Sequence, residues 1–531
     1  MFTPLARRTR SGKNTAWGVN RALVSLHLIY TPLRSKQEFT VKFLSHARAA
    51  FLAGICLFGP VAMFVSIEAQ ENYDVVIADG RVMDPESGLN AVRNVGITAG
   101  KIRAISTSHL NGKNTIDAKG LVVAPGFIDL HEHGQTPEKY RYQAHDGVTT
   151  SLELERGTDD IDGWYAARER KSLINFGASI GHIPVRMKVM HDPGAFLPVA
   201  DAAHREATPE ELAEIDRRIE VGLQRGALAV GMGIAYTPAA TRWEILQVFG
   251  VAAKHQAPVH VHLRYSGLKE PETGLVAIQE VIADAAVTGA PLHVVHVTSM
   301  GLKYTPQLIA MVADAQKQGL DVTTECYPYT AASTQLESAV FDEGWQQRMG
   351  ITYSDLEWSA TGERLTPETF AQYRRQGGNV VIFEIPDEAA RTAVANPMVM
   401  IASDGSSDNG SHIHPRGQGT YSRVLGYYVR EEKVLDLMTA LRKMTLMPAQ
   451  RLEKHAPAFH DKGRIRVGAD ADITVFDPDT VIDKATYEQP LQYSQGIRFV
   501  LVNATLILKD GKLVEGVFPG RAVRAPIVQA K

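Results

Sequence analysis

Cysteine is nearly absent from this chain, with two in 531 residues, so no disulfide framework holds the fold. Charge of one sign is lacking too: 56 Lys and Arg against 59 Asp and Glu leave a net of -3. That balance offers no footprint for nucleic acid. Long apolar runs are confined to one stretch near the start, which excludes a multi-span membrane protein. No internal repeat or low-complexity run occurs. What is there is an ordinary globular composition, 44% apolar and 22% charged. The length suits a large α/β barrel with a satellite domain.

The small net charge hides an asymmetry. Residues 1–69 carry nine Lys/Arg and two Asp/Glu, a net of +7, so residues 70–531 hold the remaining -10. Residues 49–66 (AAFLAGICLFGPVAMFVS) are apolar, with Lys42 and Arg48 before them and Ala69 just after. Basic start, apolar middle and small final residue describe a secretory signal, cleaved near Ala69. A single membrane anchor competes, but the run is barely long enough to span and is interrupted by Gly54, Gly59 and Pro60. Residues 1–40 are unusual before a signal, and a start near Val41 would remove them. The expectation is an exported, periplasmic or secreted protein, with no stable membrane association after cleavage. Cys56 leaves with the signal, and the mature chain keeps one thiol, Cys326.

Residues 73–125 read as short strands and turns, and residues 471–514 have the same texture. The two ends are expected to pair into one small β-sandwich. Between them, eight apolar strands alternate with helical stretches: 126–130, 149–155, 178–182, 227–232, 259–263, 292–297, 321–326 and 399–403. Amphipathic helices at 209–225 and 305–318 fall between them. This pattern predicts an α/β fold, a (β/α)8 TIM-like barrel. The expected organisation is 1–69 extension and signal, 70–125 β-sandwich, 126–450 barrel, and 451–531 the sandwich again. Residues 337–397 are too long for a plain connection and read as a lid over the barrel mouth.

Barrel chemistry sits at the C-terminal ends of strands. Strand one ends in His131-Glu132-His133, strand five in His262, strand six in His296 and strand eight in Asp404. Residues two apart on a strand share a face, so His131 and His133 point the same way. Single strand-end histidines are usually satisfied polar residues. Several on separate strands point instead to a divalent ion, for which imidazole and carboxylate are suitable ligands. Glu153 and Glu155 share a face on strand two, with Glu155 nearer the end and the better ligand candidate. His260 and His293 read as core, His182 as either core or substrate contact, and Cys326 as a buried inert thiol.

These residues resemble the amidohydrolase superfamily: G-F-I-D-L-H-E-H (126–133), the strand-end histidines, the strand-eight aspartate and the returning G-A-D-A-D-I-T-V-F (468–476). Within it, the chain resembles the D-aminoacylases (N-acyl-D-amino-acid deacylases). The matching pieces are G-V-T-T (147–150), G-A-L-A-V-G (226–231), H-L-R (262–264), Y-P-Y-T-A-A-S-T (327–334), S-D-G (403–405) and H-P-R-G-Q-G-T-Y-S-R-V-L-G (414–426). The resemblance covers about residues 73–515. It implies a hydrolase of carbon–nitrogen bonds other than peptide bonds, using one or two Zn²⁺ or similar ions. His131, His133, His262 and His296 fall on metal ligands, and Asp404 on the catalytic acid/base, also a ligand. Tyr236, Arg264, Ser333 and Arg416 fall where the family contacts substrate, and His182 joins them as a candidate.

There are departures. The family's Cys ligand after strand two is missing from L-E-L-E-R-G (152–157), and Glu155 stands in its place. A-L-A-V-G-M-G (227–233) holds no Lys that could form a carbamylated bridge. Thr298 stands where the family has a substrate-binding Lys. The implied partner is a small molecule with an amide bond and a carboxylate, and no nucleic acid; homo-oligomer formation stays open. The alternative reading is a related amidohydrolase acting on cyclic amides or dipeptide-like substrates.

Overall fold

The computed structural model describes residues 72–406, 408 and 410–528. The apolar run 49–66 and the cleavage point near Ala69 lie outside the described residues. Eight parallel strands follow one another in sequence order around a barrel: Phe127–Asp129, Val148–Thr158, Asn175–Gly181, Val230–Gly233, Val259–His262, Leu292–Val294, Val322–Cys326 and Val399–Ile401. Nearly every residue in them is buried, as expected for a parallel sheet covered by helices. The eighth and first strands meet just beyond their ends. There the Asp404 N–H donates to the His131 carbonyl at 2.7 Å, and the His133 N–H to the Gly405 carbonyl at 2.8 Å. The seam that closes the barrel thus fixes the backbone of three candidate ligands.

Local sequence explains the helices that wrap it. Pro209–Gln224 begins with a reciprocal cap: Thr208 Oγ1 accepts from the Glu211 N–H, and Glu211 accepts from the Thr208 N–H. Such a cap is worth about 1 kcal/mol. Ile215, Ile219, Gly222 and Leu223 form its buried stripe at helical spacing. Gly222 is required by close approach, because a Cβ there would lie 2.5 Å from the side chain of Ile180 on the third strand.

Both ends of the described chain build a second body. Nine strands join in one continuous sheet, in which Val122–Pro125 pairs antiparallel with Ile473–Phe476. Ile77, Val95, Ile102, Val123, Ile473 and Leu501 are among the residues of its own core. The segment between strands seven and eight is a small folded unit. Its four-stranded sheet joins Ala332–Gln335, Asn379–Ile382, Leu356–Trp358 and Glu363–Arg364. Phe341, Trp345, Trp358 and Phe370 fill a separate core beneath it. This unit starts before the expected residue 337, because Ala332–Gln335 forms one of its strands. It ends before 397, because Ala393 and Val394 of the helix Asp387–Ala395 pack in the barrel core.

Candidate metal centre

His131, His133, Glu155, His262, His296 and Asp404 all reach one cavity of about 380 Å³ at the C-terminal mouth of the barrel. The Nε2 atoms of His131 and His133 lie 3.2 Å apart. Asp404 Oδ1 is 3.3 Å from the first and 3.5 Å from the second. Glu155 Oε2 is 3.7 Å from His133 Nε2, and Glu155 Oε1 is 3.6 Å from His262 Nδ1. An ion with tetrahedral bonds of about 2.1 Å spaces its ligands about 3.4 Å apart, so these separations suit one. Two donor sets result, His131–His133–Glu155 and His131–His296–Asp404, with His131 in both. His262 closes the wall beside them, its ring 4.6 Å from that of His296.

A ring of buried acceptors aims the imidazoles. His131 Nδ1 meets Glu325 Oε1 at 2.8 Å, and His133 Nδ1 meets Glu153 Oε2 at 2.8 Å. Each contact leaves Nε2 facing the centre, the usual support for a ligating histidine. His296 Nδ1 meets Ser299 Oγ at 3.0 Å. Glu153, a lesser ligand candidate, is therefore an orienting group, because His133 occupies its Oε2. Glu325 also takes His293 Nε2 at 3.0 Å. Its role was missed by reading strand ends alone. Alternation with Cys326 was the available signal, since an acidic residue facing into a barrel needs a partner.

The electrostatics are those of a site built around positive charge. Burial disfavours the charged form of His131, but Asp404 and Glu325 outweigh it and raise the pKa to about 9. His133 is raised well above its usual value against the same burial, chiefly by Glu153. Burial keeps His262 and His296 neutral, His296 being lowered to about 4. Burial raises Glu155. Asp404 is pulled well below the carboxylate range, because Arg416 and His131 overcome its burial. Glu155 Oε1 is buried and makes no hydrogen bond among the described residues. An orphaned carboxylate oxygen beside imidazoles fits a divalent cation, which supplies the missing partner.

Backbone geometry supports the same centre. His296 and Asp404 are held at φ 30° and 53°, in the left-handed region that non-glycine residues rarely occupy. Such strain collects at functional sites and costs about 1–3 kcal/mol each.

The other candidates divide. Tyr236 packs its ring 4.7 Å from His262, and its oxygen accepts from Thr334 Oγ1 at 3.0 Å. Burial raises its pKa, so it stays a protonated donor at the cavity wall. Ser333 lines the cavity, and its carbonyl accepts from Arg416 Nη2 at 3.3 Å. Arg416 Nη1 is 2.9 Å from Asp404 Oδ2, although it makes no well-aligned hydrogen bond there.

Two expectations need correction. His182 does not reach the cavity: it opens the helix His182–Val189, is fully buried, and its Nε2 meets Glu244 Oε1 at 2.8 Å. Arg264 lines the cavity but is held by Glu280 at 2.6 Å and by the carbonyls of Pro238 and Ala240. Its charge is neutralised within the wall, which removes it as a carboxylate clamp. Cys326 is fully buried with its thiol pushed up to about 12, an inert core residue.

Comparison with known proteins places this geometry. Residues 187–514 match the model of the amidohydrolase family. The N-acyl-D-glutamate deacylase of Alcaligenes xylosoxydans xylosoxydans is 30% identical over 86% of this chain and 97% of its own length. The D-aminoacylase of the same organism is 28% identical over 82% of this chain and 95% of its own. The crystal structure of N-acyl-D-glutamate deacylase from Bordetella bronchiseptica, with zinc and a phosphonate mimic of the reaction's tetrahedral intermediate, superimposes with a TM-score of 0.72. It is 26% identical and covers 86% of this chain and all of that one. With its closed barrel, its strand-end donors and these matches, the chain belongs to the amidohydrolase family, among the N-acyl-D-amino-acid deacylases.

Proposed function

We propose that this protein is a zinc-dependent hydrolase that removes the acyl group from N-acyl-D-amino acids. The observation that carries the reading is the pair of donor sets sharing His131 in the cavity at the barrel mouth. His131, His133, Glu155, His262, His296 and Asp404 are the residues that would hold one or two ions. A bound divalent ion supplies a water acidified towards pKa ~7 and withdraws electrons from the amide carbonyl.

The chain's own groups do the rest. Asp404 takes a proton from the attacking water and passes it to the departing nitrogen. Arg416, 2.9 Å from Asp404 Oδ2, keeps the carboxylate oriented. Tyr236 turns its free O–H towards the cavity, where a donor to the developing oxyanion is worth about 3 kcal/mol. The small folded unit over the mouth contributes Ser333, Thr334, Asn379 and Ile382 to the walls and shields the reacting bond from bulk water.

The reading is tested with zinc-loaded protein on paired N-acetyl-D- and N-acetyl-L-amino acids, hydantoins and dipeptides. Turnover confined to the D-series supports it. Turnover confined to cyclic amides or dipeptides replaces it with the alternative. The exported location belongs to the same proposal and is supported by the apolar run 49–66 after a basic segment. N-terminal sequencing of the native protein, expected to begin near Gln70, tests it. Among the described residues no helix is long and apolar enough to cross a membrane.

A further inference from the structure

The cavity wall has an uneven charge inventory. Among the described residues three arginines line it: Arg264 is held by Glu280, Arg348 by the carbonyls of Glu343, Val340 and Asp342, and Arg416 faces Asp404 with its Nε and Nη1 making no hydrogen bond. No lysine lines it. Five acids do: Glu155 and Asp404 at the donor sets, Asp342 held by Arg374 at 2.7 Å, and Glu272 and Glu384 with no ion pair. Glu384 is the most exceptional of these. It sits on the folded unit, between the strand Asn379–Ile382 and the helix Asp387–Ala395, and outside both donor sets. Its Oε2 is shielded from solvent and has no hydrogen-bond partner among the described residues, while part of the side chain faces the cavity.

An unpartnered carboxyl in a ligand cavity costs free energy unless a ligand completes it. Burial alone acts on Glu384, pushing its pKa up to about 8 with no cation to oppose it. Beside it, buried Tyr327 also lines the cavity, with Ser299 next to its hydroxyl. A substrate ammonium or guanidinium satisfies the Glu384 oxygen. A side-chain carboxylate on the substrate meets a second acid at Glu384, while Arg416, with two unpartnered nitrogens, is left for the α-carboxylate that every N-acyl-amino acid carries.

We infer that Glu384 is a specificity-determining residue that makes this enzyme prefer N-acyl-D-amino acids with a cationic side chain and reject those with an acidic one. The inference rests on the deacylase reading above and names the substrate class for that same site. It separates this chain from its N-acyl-D-glutamate deacylase relative in the sign of the side-chain charge that is recognised.

The test measures kcat/KM for N-acetyl-D-lysine, N-acetyl-D-arginine, N-acetyl-D-leucine and N-acetyl-D-glutamate with the zinc-loaded full-length enzyme and its Glu384→Gln variant. The wild type is expected to favour lysine over glutamate by about 30-fold or more. In Glu384→Gln the lysine-to-leucine ratio falls about tenfold, mainly through KM for lysine. Equal or better use of glutamate by the wild type overturns the inference, as does an unchanged ratio in the variant. If the variant does not fold, the wild-type ratios decide. Turnover of D-leucine with glutamate favoured over lysine overturns this inference alone. Turnover of cyclic amides with no N-acyl-D-amino acid used overturns the deacylase reading as well.

Discussion

His131 and Glu325 are 194 residues apart in the chain and 2.8 Å apart in the barrel, where the carboxylate holds Nδ1 and turns Nε2 towards the cavity centre. Glu153 does the same for His133. Glu325→Gln and Glu153→Gln should each weaken zinc binding by about 10–100-fold, because the ring loses its fixed orientation and basicity. Competition against a chelator of known affinity measures this. Unchanged affinity in both variants would show that the carboxylates only fill space.

Asp404→Asn tests the proton relay. At least one zinc should stay bound, since the set His131–His133–Glu155 does not include Asp404. Turnover should fall by about 10²–10⁴-fold, the usual contribution of a general acid–base group. Retained activity would assign the relay elsewhere.

Glu155 is the group with the orphaned oxygen beside His262. Glu155→Ala should lower the zinc bound per chain, read by elemental analysis on purified protein. If stoichiometry does not change, one set of donors suffices and Glu155 is not a ligand.

Metal uptake should release protons. His131, raised to about 9, and His133, raised well above its usual value, both favour the protonated form at pH 7 in the ion-free site. A ligating imidazole must be neutral at its donor nitrogen, so the ion displaces these protons. Zinc affinity therefore rises as pH climbs from 6 towards 9. Calorimetric titration in buffers of different ionisation enthalpy reports the proton count. Zero protons released at pH 7 would contradict the charge state assigned here.

How much of this was legible in the sequence follows from how local each feature is. The eight strands announced themselves because each is a short apolar run with its chemistry at one end, and the gathering of His131, His133, His262, His296 and Asp404 follows from barrel geometry alone. Pairings across the fold were not legible. Glu280 neutralises Arg264 from the helix Gly274–Thr288, and nothing in the H-L-R motif reveals it. His182 was misplaced by one position of secondary structure: the third strand stops at Gly181, and His182 begins a helix facing Glu244. The bounds of the folded unit were hidden because Ala332–Gln335 pairs with Asn379–Ile382, more than forty residues away.

The most direct test strips the protein with chelator and titrates zinc back while following N-acetyl-D-amino-acid hydrolysis. Activity absent from the stripped protein and restored in step with the first zinc bound is the predicted result. Undiminished hydrolysis after stripping, or zinc uptake that persists when His131 and His133 are both replaced by Ala, would contradict the account.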